Sequence, residues 1–257
     1  MWRRLIKRGF AAGGYSLIRT DTLPPEIPPD LGPTQVEIFQ DVRAYTMTSV
    51  ERIAALVDAV KYIASAGIDG AIVECGVWRG GSMMAIARTL LATGGSEREL
   101  FLFDTFEGMP APRPDDVDFL GRSGSALLQE SKVLTHEEQL NSLLLAYAPL
   151  DHVQSNMLRT GYPKERIHFV KGRVEDTIPA EAPDTISLLR LDTDWYESTR
   201  HELIHLFPRL SRGGVVIIDD YGHWRGSRRA VDEYFEQHGP TLLLHRIDYT
   251  ARAAMKP

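Results

Sequence analysis

The sequence predicts an α/β protein built on a doubly wound, mostly parallel sheet with helices on both faces. Three observations predict it. Short, uninterrupted apolar runs alternate with helix-like stretches from about residue 49 onward, the first run leads into a Gly-rich turn, and acids stand at the ends of the later runs. Continuous apolar runs belong to strands buried on both faces, where a half-exposed sheet would instead alternate apolar and polar residues.

The first 20 residues carry Arg3, Arg4, Lys7, Arg8 and Arg19 and no acid. They fit either an amphipathic arm for a membrane surface or partner, or a terminal helix interrupted by Gly9, Gly13 and Gly14. Residues 21–37 are rich in Pro and acids and read as an extended arm. We therefore expect an N-terminal arm and helix over 1–44 and one main domain over 45–257; the total length suits a single decorated α/β unit.

A helix is predicted over Ser49–Ala66, with apolar residues at helical spacing and Thr48 or Ser49 as N-cap. Strands follow at Ala71–Glu74, Leu100–Phe103, Ile167–Val170, Ile186–Leu191 and Val215–Ile218. Between them lie helices at Ser82–Ala92, in part of Ser125–Ala148 (stopped by Pro149) and at Glu197–Leu210. A further helix, Ser227–His238, precedes a last apolar run at Thr241–Leu244. The segment Gly108–Lys132 is long, polar and Pro/Gly-rich, and it follows the second strand on the ligand-binding edge; it reads as a lid insertion.

Composition excludes several classes. A net charge of −6 gives no reason to expect nucleic acid. No apolar run approaches the ~20 residues that a transmembrane helix needs. Cys75 is the only cysteine, so no intrachain disulfide forms, and a cytoplasmic location is expected. Cys75 lies in an apolar run, as a small buried thiol would.

In an open α/β sheet, ligands bind beyond the carboxyl ends of the strands. The first such end, VECGVWRGGS over residues 73–82, passes from strand through glycines into a helix, which brings backbone close to a nucleotide-like ligand. The second ends at Asp104, next to Thr105, an acid placed for ribose hydroxyls. The fourth and fifth end in Asp192-Thr-Asp194 and Asp219-Asp220. Residues i and i+2 of an extended segment share a side, so Asp192 and Asp194 are expected to face the cleft near the second pair. Four converging carboxylates repel unless a cation lies among them, and all-oxygen ligands favour Mg²⁺, Mn²⁺ or Ca²⁺ over zinc. The alternative is that these are ordinary solvated acids at strand ends.

VECGVWRGGS, FDTFEGMP, RLDTDWYEST and IIDDYGHWRGSRRAVDEY together resemble the macrocin O-methyltransferase family, over a stretch from about Tyr45 to the C-terminus. The resemblance implies a class I methyltransferase (Rossmann-like) fold, S-adenosyl-L-methionine as methyl donor, and Mg²⁺ (or Mn²⁺). It implies that Asp192, Asp219 and Asp220 ligate the metal and that Asp194 is the general base. It places Glu74, Gly76, Trp78, Gly80 and Ser82 in the donor-binding turn, with Asp104 and Thr105 at the ribose and Asp192 also beside the donor. Gly172, Val174 and Glu175, in KGRVEDT, resemble the adenine-contacting stretch. Thr46, Met47 and Thr48 resemble the segment that closes over the methionine end. The implied acceptor is a hydroxyl of a sugar or glycosylated small molecule, the alternative a phenol or catechol; a homo-oligomer is expected.

Other residues carry competing readings. His201-Glu-Leu-Ile-His205 matches the H-E-x-x-H zinc-peptidase pattern, with Glu233 as a conceivable third ligand. The stripe Leu203, Leu206, Phe207 and Leu210, however, turns both histidines away from the cleft, and Pro208 follows closely. Trp195 either stacks on a sugar ring or packs under the lid. His223 fits a substrate or proton-transfer role, or a polar loop. Arg225, Arg228 and Arg229 fit recognition of an anionic group such as a nucleotide-sugar phosphate, or a solvated helix start.

Overall fold

The computed structural model describes residues 26–132 and 146–257. The chain divides into two units, residues 1–32 and Pro33–Pro257. Of the first, residues 26–32 are described and form bends and turns; the basic segment over 1–20 lies outside the described residues. The second unit begins ahead of the expected boundary at residue 45. Helix α1 (Pro33–Val42) opens it, with Pro33 at a first-turn position that needs no N–H donor, and it buries Ile38 and Val42 in the core. Residues 33–37 are therefore helical where an extended arm was expected.

Helix α2 (Val50–Ser65) follows its predicted bounds closely; the Ser49 hydroxyl accepts the Arg52 N–H at 3.2 Å as N-cap. Then come β1 (Ala71–Cys75), α3 (Gly81–Thr93), β2 (Leu100–Asp104), α4 (Gly124–Lys132), α5 (Leu150–Leu158) and β3 (Ile167–Lys171). The chain continues through α6 (Val174–Thr177), β4 (Ile186–Leu191), α7 (Tyr196–Leu206), β5 (Leu210–Ile218), α8 (Arg225–Gln237), β6 (His245–Arg246) and β7 (Arg252–Met255). The sheet order is β3-β2-β1-β4-β5-β7-β6, parallel through β5 and antiparallel at β7 and β6.

Alternation along the central strands makes two cores. Ile72, Leu102, Leu188 and Ile217 face α1, α2, α3 and α5. Val73, Cys75, Leu189, Leu191, Val216 and Ile218 face α7 and α8. Both strands at the centre, β1 and β4, are buried at every residue, as the apolar runs predicted. On that alternation Glu74 and Arg190 are partners in register on the α2 side. Two charged residues thus occupy core positions at the carboxyl end of the sheet.

Two expectations, the last strand and the end of the helix before β5, are corrected. Pro149 precedes and caps α5, whose signature is only the i, i+4 pair Val153 and Met157, a helix the sequence reading did not place there. The remainder of the helix expected in Ser125–Ala148 falls largely outside the described residues. Thr241–Leu244 is not a strand, and Leu243 is 86% exposed. The sheet instead closes with Arg252–Met255, placed there by pairing with β5 rather than by any local pattern. Helix α7 ends at Leu206, because Pro208 forces a 3₁₀ turn over Phe207–Arg209. No helix among the described residues is long and apolar enough to cross a membrane.

Candidate active site

A cleft of about 430 Å³ opens at the carboxyl ends of β1, β2, β4 and β5. Its floor is the turn after β1. Gly76 has φ +83°, and a Cβ there would lie 1.9 Å from the Asp192 carbonyl oxygen, so only glycine lets β1 and β4 leave the sheet this close together. Gly81 donates to the Tyr45 carbonyl at 3.0 Å, and a Cβ there would meet that carbonyl and the Thr46 side chain. This contact holds Thr46, Met47 and Thr48 over the cleft, which all three line with Gly76, Trp78 and Ser82. Gly80 caps α3 without lining the cleft.

Asp104 also lines the cleft, with Thr105, but much of its carboxylate is engaged. Oδ2 accepts the N–H groups of Val77 (2.6 Å) and Trp78 (3.0 Å), and Oδ1 that of Phe106 (2.7 Å). It therefore clamps the β1 turn to the β2 turn. Burial raises its pKa, opposed by these hydrogen bonds. Gly172, Val174 and Glu175 close the same end of the cleft.

At the other end the acids converge. Carboxylate oxygens of Asp192, Asp219 and Asp220 lie within 4.8 Å of one another. Asp194 reaches the same space, but not by strand alternation: β4 has ended, and Asp194 has φ +66°. Its N–H donates to Asp220 Oδ2 at 3.2 Å. Burial and then Asp192 push the Asp194 carboxyl up to about 8, against hydrogen bonds from Trp224 and Asp220. Burial, reinforced by Asp194, also raises Asp220 well above the usual carboxylate range.

The sequence reading missed two arginines that partly neutralise this cluster. Arg190, 2% exposed, donates Nη1 to Glu74 Oε1 (2.6 Å) and Asp192 Oδ2 (2.7 Å), and Nη2 to Asp219 Oδ1 (2.6 Å) and the Thr48 hydroxyl (3.2 Å). Arg52, from α2, pairs with the other oxygen of Asp219 and, at 3.0 Å, with Asp248. Five carboxylates (Glu74, Asp192, Asp194, Asp219, Asp220) still outnumber two guanidiniums. Asp194 and Asp220 have no cationic partner among the described residues, which suits a hard divalent cation. Glu74 lies beneath the cleft, 1% exposed; burial drives its carboxyl up to about 8 against the pull of Arg190, and its Oε2 has no hydrogen-bond partner among the described residues.

The competing readings separate cleanly. His201 bonds the Ile178 carbonyl at 2.9 Å and lies tilted against the His205 ring, and neither lines the cleft, so the zinc-peptidase pattern assembles no site among the described residues. Trp195 is buried under the segment expected as a lid, with its indole N–H on the Pro110 carbonyl at 3.1 Å. That segment is ordered by Asp116 and Asp118, both fully buried, which accept backbone N–H groups from Arg113, Tyr196, Leu120 and Arg122. His223 does line the cleft, beside Tyr249 at 3.1 Å. Arg229 is spent on Asp115 and the Tyr196 ring, and Arg228 on Asp232 and the Tyr221 ring. Arg225 reaches the Phe119 carbonyl at 3.4 Å.

A model of the macrocin O-methyltransferase (TylF) family matches residues 40–256. The chain belongs to this family. Its fold is the class I, Rossmann-like methyltransferase fold, and it is an S-adenosylmethionine-dependent O-methyltransferase. The chain is 36% identical over 207 residues to the 8-demethyl-8-(2,3-dimethoxy-α-L-rhamnosyl)-tetracenomycin-C 4′-O-methyltransferase of Streptomyces olivaceus, covering 80% of this chain and 74% of that one. It is 33% identical over 205 residues to the mycinamicin III 3″-O-methyltransferase of Micromonospora griseorubida, covering 80% and 76%. Among solved structures, the O-methyltransferase NovP superposes with a TM-score of 0.68 at 29% identity, covering 86% of this chain and 87% of that one.

Proposed function

We propose that this macrocin-family enzyme methylates a hydroxyl of a sugar, or of a glycosylated natural product, with Mg²⁺ as the required ion. The observation that carries the reading is the convergence of Asp192, Asp194, Asp219 and Asp220 on one end of the donor cleft, with only Arg52 and Arg190 among the described residues to offset them. The name of the tetracenomycin relative, whose acceptor carries a rhamnosyl group, supports the acceptor class.

In this reading Asp192, Asp219 and Asp220 hold the divalent ion. When bound, it supplies the electrostatic polarisation that brings an alcohol's pKa toward neutrality. Gly76 and the Thr46–Thr48 segment hold the methionine end of the donor, with Glu74 supporting Arg190 from beneath, and Gly172–Glu175 hold its adenine. The Asp194 carboxylate accepts the acceptor's hydroxyl proton. With S-adenosylmethionine bound there, its sulfonium would supply the methyl group to that oxygen, S-adenosylhomocysteine being the leaving group. Trp195, Leu127 and Leu128 wall the cleft and exclude water, which would compete as acceptor.

The test is methyl transfer to a panel of glycosylated acceptors, their aglycones and simple catechols, each with EDTA and with added Mg²⁺. Mg²⁺-dependent transfer confined to sugar-bearing acceptors is expected. Transfer to catechols alone, or undiminished transfer in EDTA, overturns it.

A further inference from the structure

Glu202, the acid of the H-E-x-x-H pattern, is the part of that motif with an unexplained position. It stands on α7 in the buried row Ser198, Glu202 and Leu206, where an amphipathic helix would carry an apolar residue, and it is 0% exposed. Its Oε1 accepts the Thr193 hydroxyl at 2.9 Å. Its Oε2 has no strong hydrogen-bond partner among the described residues, although the carboxyl also lies against the buried Cys75 thiol, which it helps to hold protonated. Burial raises its carboxyl well above the usual range. An apolar side chain would fill this place at less cost to stability, since a buried polar atom without a partner is expensive.

What Glu202 touches explains its presence. Thr193 lies between Asp192 and Asp194. Its carbonyl accepts the Trp195 N–H at 2.7 Å and the Ser198 hydroxyl at 3.2 Å, so backbone and side chain are both pinned to the start of α7. Asp192 is fixed independently, by its N–H on the Cys75 carbonyl at 2.9 Å and by Arg190. Asp194 has no such strand anchor and sits in the left-handed region, which a non-glycine residue adopts only when its surroundings demand it.

We infer that Glu202 is a positioning residue for methyl transfer: through the Thr193 hydroxyl it fixes the turn 192–195 so that Asp194 faces Asp220 in the cleft. This rests on the role of Asp194 in the proposed function. Misplacing a proton-accepting group by about 1 Å can cost on the order of 100-fold in rate.

The experiment compares Glu202→Leu, Glu202→Gln, Thr193→Val and the Leu/Val double variant. Glu202→Leu and Thr193→Val should each lower kcat roughly 10- to 100-fold, with donor KM and directly titrated Mg²⁺ affinity within about twofold of wild type. The double variant should be no worse than either single one, because both remove the same bond. Glu202→Gln, which keeps an acceptor oxygen and stays neutral, should restore most of the turnover. Thermal stability of Glu202→Leu should equal or exceed wild type, the opposite of what a packing role requires. Amide hydrogen exchange at Asp194 and Trp195 in the donor-bound protein gives a readout independent of the acceptor, and it should accelerate in Glu202→Leu. Unchanged exchange, or a kcat loss that tracks a fall in stability and is not rescued by Gln, overturns the inference. If the wild type transfers methyl to no glycosylated acceptor while exchange behaves as expected, the functional reading fails and the positioning role stands.

Discussion

Arg190 Nη2 meets Asp219 Oδ1 at 2.6 Å across the β4–β5 boundary, fully inside the protein. The contact joins two strand ends whose carboxylates would otherwise repel, and the other guanidinium nitrogen reaches Glu74 and Asp192. The sheet thus carries a built-in cation at the very place where acids were expected to demand one.

The first prediction concerns that cation. Arg190→Met leaves Glu74, Asp192 and Asp219 without their shared partner. Removing one member of a buried ionic network typically costs about 3–5 kcal/mol, so the urea midpoint should fall steeply. Arg190→Lys should recover little, because a single ammonium does not reproduce the forked geometry that serves three carboxylates. A wild-type midpoint for Arg190→Met would mean the network is dispensable.

The second concerns the turn after β1. Gly76→Ala forces a Cβ against the Asp192 carbonyl, and it also strains a φ of +83°. Gly67→Ala is the control: φ is +64°, but nothing lies within 4 Å. The control should lose only the conformational cost, about 1–2 kcal/mol. Gly76→Ala should lose more than that and also lose S-adenosylmethionine binding, measured by calorimetry. Equal effects on stability would show that the close approach of β1 to β4 is unimportant.

The third concerns Asp104, whose hydrogen bonds to Val77, Trp78 and Phe106 give it a structural duty beside the proposed ribose contact. Asp104→Ala should weaken donor binding by ~1.5–3 kcal/mol, the range for a charged hydrogen bond, and should lower thermal stability in the donor-free protein. Loss of affinity with unchanged stability would confine Asp104 to the ligand; the reverse would place the nucleoside elsewhere.

How far the sequence disclosed this site depends on how local each signal is. The strands β1 and β4 were legible because both faces are buried and their runs are apolar apart from Glu74, Ser187 and Arg190. Arg190 had a readable signal as well, a lone charge inside ISLLRL, which burial makes costly unless it is paired. Arg52 had none, since its partner Asp219 lies 167 residues away in the chain and only the packing of α2 brings them together. Asp194 reached the cleft as expected, though through a left-handed turn that periodicity does not foresee. The motif around Glu202 matched a zinc pattern in spacing alone, and the apolar stripe of α7 already turned its histidines away from the cleft, where neither is found. The segment RAAM of β7 has no strand signature and is a strand only because β5 offers it an edge.

The central claim is the division of labour among the four acids, and a metal titration tests it most directly. Activity and Mg²⁺ affinity are measured for Asp192→Asn, Asp194→Asn, Asp219→Asn and Asp220→Asn. The Asp192, Asp219 and Asp220 variants should bind Mg²⁺ more weakly and regain part of their activity in excess metal. Asp194→Asn should keep metal and donor affinity while losing roughly 10²–10⁴-fold in turnover, the range for general base catalysis, with no recovery on adding Mg²⁺. Rescue of Asp194→Asn by metal, or full activity in all four variants, would contradict the account.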